Sequence, residues 1–253
     1  MDFSVSIPFV RLRGAKRTAL LLPPPEQAYQ RRTRRGSRSL RRFDNAVARE
    51  PSQPLLLAKR LVDIAGSSCG LLVLAPLLIG VAVAIKLTSA GPVFFRQKRY
   101  GYHNRRFWIF KFRTMYTHLG DQRGTRQTTS DDPRVTPLGR ILRKTSLDEL
   151  PQLINVFKGD MSLVGPRPHV PGMLAAGLLY EELLPYYFQR HNMRPGITGL
   201  AQVSGYRGST AASLSAIERL DCDLQYIQKW SLWLDLSLIL RTVIKEFFSG
   251  SGD

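Results

Sequence analysis

Residues 140–168 of the chain read RILRKTSLDELPQLINVFKGDMSLVGPRP. Two adjacent carboxylates, Asp148 and Glu149, lie between a basic run at 140–144 and Arg167, which stands between two prolines. Guanidinium groups match phosphate oxygens two at a time. Magnesium is bound through one or two carboxylates together with phosphates and water. Carboxylates surrounded by cations therefore predict a site for a metal ion and a phosphorylated ligand.

The same residues allow a purely structural interpretation. Ser146, Leu147, Asp148 and Glu149 spell a capping box, in which a serine caps a helix and a glutamate three positions later bonds back to it. The helix dipole also favours acids in a first turn. Because a proline this close to a helix cap is tolerated only within the first turn, Pro151 predicts a helix that begins near Asp148. Both interpretations of the acid pair stay open at this point.

The bulk composition narrows the class of protein. With 253 residues and 43% hydrophobic content, the chain can bury one substantial core. The formal net charge of +18 indicates an anionic partner, which nucleic acid, anionic lipid or a phosphorylated substrate would each supply. The two cysteines are far apart, which argues against a disulfide framework and a zinc site and fits a cytosol-facing location. The four histidines lack ligand spacing and are interpreted as surface or structural residues.

The first part of the chain, residues 1–54, is polar, contains prolines and includes the run RRTRRGSRSLRR. Such a segment cannot bury enough apolar surface to offset the entropy of ordering it, so we expect a disordered basic tail. Its expected partner is an anionic membrane surface. A nucleic-acid-binding arm is the competing interpretation, but the tail lacks interleaved aromatics and a recognised binding fold.

An apolar segment from Ile64 to Ile85 contains no charged residue and would be about 33 Å long as a straight helix, enough to cross a membrane. Pro76 near its middle predicts a bend. Lys59 precedes the segment and Lys86 follows it, so the positive-inside rule places both flanks in the cytoplasm. A re-entrant helix over 61–87 that breaks at Pro76 and returns to the same side reconciles these facts. A straight span is the alternative.

The remaining pattern predicts an α+β fold that is mainly helical. Residues 91–115 alternate as two strands around a turn at 101–104, which predicts a β-hairpin. Residues 173–188 are interpreted as a broken amphipathic helix, and residues 214–248 as helical. The chain has no Walker A motif and no G-x-G-x-x-G motif, so the phosphate loop of a nucleotide-binding fold is missing.

Several strings in one order resemble the bacterial sugar transferases, which are monotopic polyprenyl-phosphate hexose-1-phosphate transferases, and the later strings resemble the exopolysaccharide branch of that family. The strings are KRLVDI, GPVFFRQKRYG, KFRTM, DPRVTPLGRILR, the 140–168 stretch and RPGITGLAQVSGYRG. The resemblance runs from about residue 58 to the C-terminus, and residues 55–253 are taken as one transferase domain. It implies the same re-entrant membrane hairpin.

The resemblance also implies a function. A hexose 1-phosphate, glucose or galactose, would pass from a UDP-sugar to polyprenyl phosphate with release of UMP. Asp148 would attack phosphorus to form a covalent phosphosugar, and Glu149 would bind Mg²⁺. The candidate phosphate ligands are the cationic side chains Lys111, Arg113, Arg143, Arg167 and Arg194. A solvated strand face explains Lys111 and Arg113 about as well.

We expect the active site on the cytoplasmic face of the bacterial inner membrane. The expected partners are the UDP-sugar, the polyprenyl phosphate and anionic lipids, without nucleic acid; homodimerisation is left open. The alternative function is a non-enzymatic basic protein that binds membrane surfaces or nucleic acid. Its charge would suffice, but it leaves the acid pair and Arg167 unexplained.

Overall fold

The computed structural model describes residues 52–119, 132–175, 178–184, 186–206 and 213–249. Residues 1–51 of the predicted tail lie outside the described residues. The helices are α1 (Gln53–Thr88), α2 (Pro137–Lys144), α3 (Gln152–Lys158), α4 (Tyr180–Leu183), α5 (Leu200–Val203), α6 (Ser213–Lys229) and α7 (Leu232–Ser249). The strands are β1 (Phe94–Tyr100), β2 (Arg106–Phe112), β3 (Ser162–Val164), β4 (Leu174–Ala175), β5 (Leu178–Leu179) and β6 (Gly196–Thr198). The described residues thus confirm a mixed helix and strand fold.

Helix α1 has 36 residues, and within the described ranges it is the one helix long and apolar enough to cross a membrane. Its middle is exposed, with Leu72 at 77% and Val73 at 70%. Pro76 lies inside the helix, and the residues on both sides of it are helical. The two-armed hairpin predicted over 61–87 is therefore not confirmed.

Both ends of α1 contact the same body of the protein. Near its start, the ammonium group of Lys59 donates hydrogen bonds to Asp235 Oδ2 at 2.6 Å and to the carbonyl oxygen of Val164 at 3.0 Å. Near its end, Ile85 belongs to a core cluster with Phe112. The exposed apolar middle of α1 thus lies between two anchored ends.

Strands β1 and β2 confirm the predicted hairpin. They pair antiparallel, with Phe95 opposite Lys111 and Arg99 opposite Phe107. Because alternate residues of a strand face the same side, Arg99 and Lys111 share one face of the hairpin. The turn between the strands includes Asn104 with a φ of 61°, a left-handed conformation that asparagine tolerates.

The C-terminal part surrounds a short parallel pair of strands. Ser162 of β3 pairs with Gly196 of β6. Tyr226 of α6 and Leu238 of α7 share a core cluster with Val164. The helical prediction for 214–248 is confirmed, with a break between α6 and α7.

The prediction of one broken amphipathic helix at 173–188 is wrong for the described residues. Strands β4 and β5 pair antiparallel there, and α4 is only 4 residues long. Tyr180 and Tyr187 are fully buried in a cluster with Leu220 of α6. This packing, rather than helical periodicity, determines the local backbone.

Candidate active site

The two acids lie in a 3-10 turn, Leu147–Glu149, between α2 and α3. Helix α2 begins at Pro137, and its cap Thr136 accepts a hydrogen bond from the backbone N–H of Gly139 at 2.9 Å. Ser146 then takes a left-handed conformation with a φ of 55° and turns the chain. Helix α3 begins only at Gln152, so the acids precede the helix, contrary to the predicted start near Asp148.

The capping alternative is wrong. The side chain of Ser146 makes no capping hydrogen bond to the described residues. The carboxylate of Glu149 instead binds two cations that are distant in sequence. Lys111 Nζ lies 2.6 Å from Oε1, and Arg167 donates from Nη2 to Oε1 at 2.5 Å and from Nη1 to Oε2 at 3.0 Å. This two-pronged ion pair has the geometry of strong guanidinium–carboxylate recognition.

Glu149 is strongly ionised in this setting. Burial alone would raise its pKa, but the charges of Arg167 and Lys111 outweigh burial and hold the pKa well below the usual range. The side chains of the three residues are only 15–27% exposed, so water screens these charges weakly. Glu149 thereby fixes the positions of both cations.

Asp148 has the opposite environment. It is 8% exposed, and its carboxylate makes no hydrogen bond or ion pair with the described part of the chain. Burial raises its pKa, and the neighbouring Glu149 charge adds to that effect. The charges of Lys111, Arg143 and Arg167 oppose the rise. A buried carboxylate that lies among cations and has no hydrogen bond to the described residues is suited to act as a nucleophile or a metal ligand.

Lys111, Arg143 and Arg167, three of the predicted phosphate ligands, lie around the acids. Arg143 is held by a hydrogen bond from its Nε to Thr114 Oγ1 at 2.9 Å, and its charge acts on Asp148. Lys111 and Arg167 are the partners of Glu149. With two acids and three cations, the described cluster carries an excess of positive charge that suits an anionic ligand.

Arg113 and Arg194, the other two candidates, are engaged elsewhere. The guanidinium of Arg113 donates to the carbonyl oxygens of Ser89 at 2.8 Å and of Ala90, just beyond the end of α1. Arg194 donates to the carbonyl oxygen of Gly159 at 3.2 Å, beyond α3. These contacts are structural. A phosphate-binding role for either residue stays a prediction.

Two residues near the site were not predicted from the sequence. Thr114 orients Arg143, and Arg99 lies close enough to Arg167 and Glu149 to interact with their charges. Strand alternation could have found Arg99, since it shares a hairpin face with Lys111. The histidines are structural where they are buried: His169 is 2% exposed, and burial holds its pKa well below the usual range.

The candidate magnesium ligands are the carboxylates of Asp148 and Glu149. The described residues contain no group of three or more His, Cys, Asp and Glu side chains that could hold a metal ion. Asp148 and Glu149 are adjacent, and Asp148 is free of hydrogen bonds to the described residues. Mg²⁺ needs only one or two carboxylates when phosphates and water complete its coordination. The acids therefore fit an ion shared with a phosphorylated ligand.

A family model described as bacterial sugar transferase matches residues 55–249, and the chain belongs to that family. The family predicted from the sequence strings is confirmed. The match includes the acid pair and the three cations around it.

Individual relatives have more specific names. A Komagataeibacter xylinus protein named undecaprenyl-phosphate glucose phosphotransferase is 52% identical over 194 residues, which cover 77% of this chain and 36% of that protein. The exopolysaccharide production protein PSS of Rhizobium leguminosarum bv. phaseoli is 51% identical, covering 78% of this chain and 98% of the relative. The UDP-glucose:undecaprenyl-phosphate glucose-1-phosphate transferase of Escherichia coli (strain K12) is 47% identical, covering 76% and 40%. The chain thus matches nearly all of one relative and well under half of the other two.

The two acids are expected to affect stability with opposite signs. The folded-state pKa of Asp148 is raised, so ionised Asp148 destabilises the fold at neutral pH, and Asp148→Asn should raise the melting temperature. The folded-state pKa of Glu149 is lowered, so its charge stabilises the fold above the unfolded-state pKa. Glu149→Gln should destabilise the protein by about 3–5 kcal/mol, because it removes the charged carboxylate that Lys111 and Arg167 both bind.

Thermal unfolding of detergent-solubilised protein across pH checks both signs. The gain from Asp148→Asn should shrink as the pH falls through the raised folded-state pKa and vanish below 3.8, the ordinary value for this carboxyl group. The loss from Glu149→Gln should shrink as the pH falls below 4.5 and through the lowered folded-state pKa. Equal effects of the two variants at neutral pH would contradict the assigned environments.

Proposed function

We propose that the protein transfers a hexose 1-phosphate from a UDP-sugar to undecaprenyl or another polyprenyl phosphate, releasing UMP, in exopolysaccharide synthesis. The observation that carries the proposal is the buried Asp148 carboxylate, free of hydrogen bonds to the described residues and surrounded by three cations. Relatives at 47–52% identity whose names specify glucose favour UDP-glucose as the donor.

The chemistry proceeds in two displacements at one phosphorus atom. A carboxylate oxygen of Asp148 attacks the phosphorus next to the sugar; the new oxygen–phosphorus bond forms as the bond to the bridging oxygen breaks, and UMP leaves with that electron pair. An oxygen of the polyprenyl phosphate then attacks the same phosphorus and displaces the Asp148 carboxylate. A covalent route of this kind replaces one difficult step by two easier ones.

The surrounding residues supply charge and position. Lys111, Arg143 and Arg167 keep Asp148 more readily ionised than burial alone would allow and offer donors to phosphate oxygens. Because Glu149 already binds Lys111 and Arg167, the donor phosphates must share or replace those contacts. Glu149, with Asp148 beside it, would hold Mg²⁺, which when bound would neutralise pyrophosphate charge.

The proposal includes a re-entrant α1 at the inner membrane, with the site on the cytoplasmic face. Contacts at both ends of α1 support this topology. Asp63 Oδ1 accepts hydrogen bonds from Ser162 Oγ and from the backbone N–H of Leu163, both at 2.9 Å, while Ile85 packs against Phe112. A crossing helix would separate its two flanks by a hydrocarbon core of about 30 Å. One protein body could not then anchor both ends from a single side.

Asp148→Asn should abolish UMP release from UDP-glucose and polyprenyl phosphate, because an amide is a poor nucleophile toward phosphorus. Without acceptor, wild-type protein given a donor labelled in the sugar should retain label on a peptide that contains Asp148. Absence of UMP release by wild-type protein with all substrates and Mg²⁺ would favour the non-enzymatic alternative. Label on another residue would move the nucleophile.

The acid limb of the pH–rate profile should report the ionisation of Asp148. Activity needs the carboxylate, so it should fall as pH drops through a pKa that burial raises above the usual range. Lys111→Met removes the cation that most lowers this pKa and should move the limb to higher pH. Lys98→Met is the matched control, since Lys98 is exposed and lies over the Trp108 ring. An unmoved limb in Lys111→Met would count against the assignment.

Cysteines placed beside Lys59 and beside Lys86 test the topology in intact spheroplasts. Both should be protected from an impermeant thiol reagent added outside and should react after permeabilisation. Labelling of either one from outside would show that α1 crosses the membrane. Pro76→Leu restores the missing backbone donor and should shift the segment toward a crossing helix.

A further inference from the structure

The segment that carries Arg167 has no regular secondary structure, yet hydrogen bonds fix its backbone. Four consecutive carbonyl oxygens, those of residues 166–169, each accept a hydrogen bond from elsewhere in the chain. The donors are, in order, Gly196 N at 3.0 Å, Arg190 Nη2 at 2.7 Å, Arg99 Nη1 at 3.2 Å and Tyr100 N at 3.0 Å. Pro166 and Pro168 have no N–H and fixed φ angles, which stiffens the segment further.

Tight backbone packing fixes the start of this segment. A Cβ atom on Gly165 would collide with the carbonyl oxygen of Arg194, and one on Gly196 would collide with the backbone of Gly165. The two glycines therefore allow main chain to lie directly against main chain. The backbone that leads into Arg167 has little freedom to shift.

Arg190 is a fixed anchor. It is 1% exposed, and it donates to Asp223 Oδ2 from Nη2 at 2.5 Å and from Nε at 3.1 Å. Its guanidinium lies 5.6 Å from the centre of the Tyr187 ring. Because Asp223 and Tyr187 hold the guanidinium in place, the hydrogen bond to the Arg167 carbonyl has a rigid origin.

The charge of Arg99 is less well stabilised than that of Arg190. Its hydrogen-bond acceptors among the described residues are neutral: Gln97 Oε1 at 2.5 Å and the Pro168 carbonyl oxygen. Burial and the like charge of Arg167 lower the pKa of Arg99 to about 10, so it stays charged at neutral pH. A cation placed beside a like charge opposes stability, and such arrangements are retained at functional sites.

We propose that Arg99 and Arg190 are positioning residues for Arg167. Each holds one carbonyl of the Arg167–Pro168 backbone, so that the Arg167 guanidinium meets Glu149 with both prongs and faces the donor phosphates in one orientation. The inference rests on the proposed function, since it assigns Arg167 to phosphate binding. Neither positioning residue needs to touch the substrate.

A double-mutant cycle tests this role through kcat and KM for UDP-glucose. Arg167→Met and Arg99→Met should each lower kcat/KM, by about 10²-fold where the guanidinium is misplaced by about 1 Å. The double variant should resemble Arg167→Met alone, because Arg99 acts through Arg167. Arg99→Lys, which keeps a charge and a donor, should recover part of the loss. Arg105→Gln, an exposed neighbour, should match wild type.

Arg190→Lys is a second variant, which keeps a cation for Asp223 but cannot bond Asp223 and the Arg167 carbonyl in the same fork. It should lower kcat/KM in the wild-type background and have little further effect in Arg167→Met, with a melting temperature that confirms folding.

Failure of the positioning role and failure of the proposed function give different results. Multiplied losses in the double variants, or wild-type kcat/KM in both Arg99→Met and Arg190→Lys, would overturn the positioning role while leaving the proposed function intact. Wild-type kcat/KM in Arg167→Met would remove the phosphate-binding role on which the inference rests. Absence of UMP release by the wild-type protein would instead count against the proposed function itself.

Discussion

The ion pairs of Glu149 with Lys111 and Arg167 join three parts of the chain that are distant in sequence. They tie the second hairpin strand, the turn after α2 and the proline-flanked segment after β3 to one carboxylate. Because these side chains are partly buried, screening by water is weak and geometry matters. The rest of the site depends on this junction, since it fixes two of the three cations around Asp148.

The neighbouring carboxylate, Asp148, makes no comparable ion pair with the described residues. Asp148 is buried, and its pKa is raised, whereas the pKa of Glu149 is lowered by partners that Asp148 lacks. Two adjacent carboxylates thus have divergent environments, one suited to holding cations in place and the other to attack on phosphorus. Pairs of titratable groups with divergent pKa values are a recurring sign of divided roles. In the proposed mechanism, the carboxylate that destabilises the fold is also the nucleophile, Asp148.

Features that depend on local sequence patterns were predicted from the sequence. Alternation predicted the β-hairpin, and the acids and cations of residues 140–168 predicted a site around Asp148 and Glu149. The fold brings Lys111 to these acids together with Arg143 and Arg167. The sequence pattern was misleading at Glu149, which matches a capping box in sequence but binds Lys111 and Arg167, two cations that are distant in the chain. Arg113 donates to a carbonyl oxygen just beyond α1, and its phosphate-binding role stays a prediction. Periodicity also suggested a helix at 173–188, where burial against α6 decides the backbone.

Contacts between α1 and α3 set where the candidate site lies relative to α1. Helix α3, which follows the acid turn directly, receives hydrogen bonds from Arg60 at its last carbonyls, 2.6 Å to Val156 and 2.7 Å to Phe157. Gly70 of α1 permits close approach, since a Cβ there would lie 3.2 Å from Leu153. The acid turn is thereby fixed near the point where the exposed apolar middle of α1 begins. In the proposed reaction between a soluble sugar nucleotide and a lipid phosphate, this placement would put Asp148 within reach of both substrates.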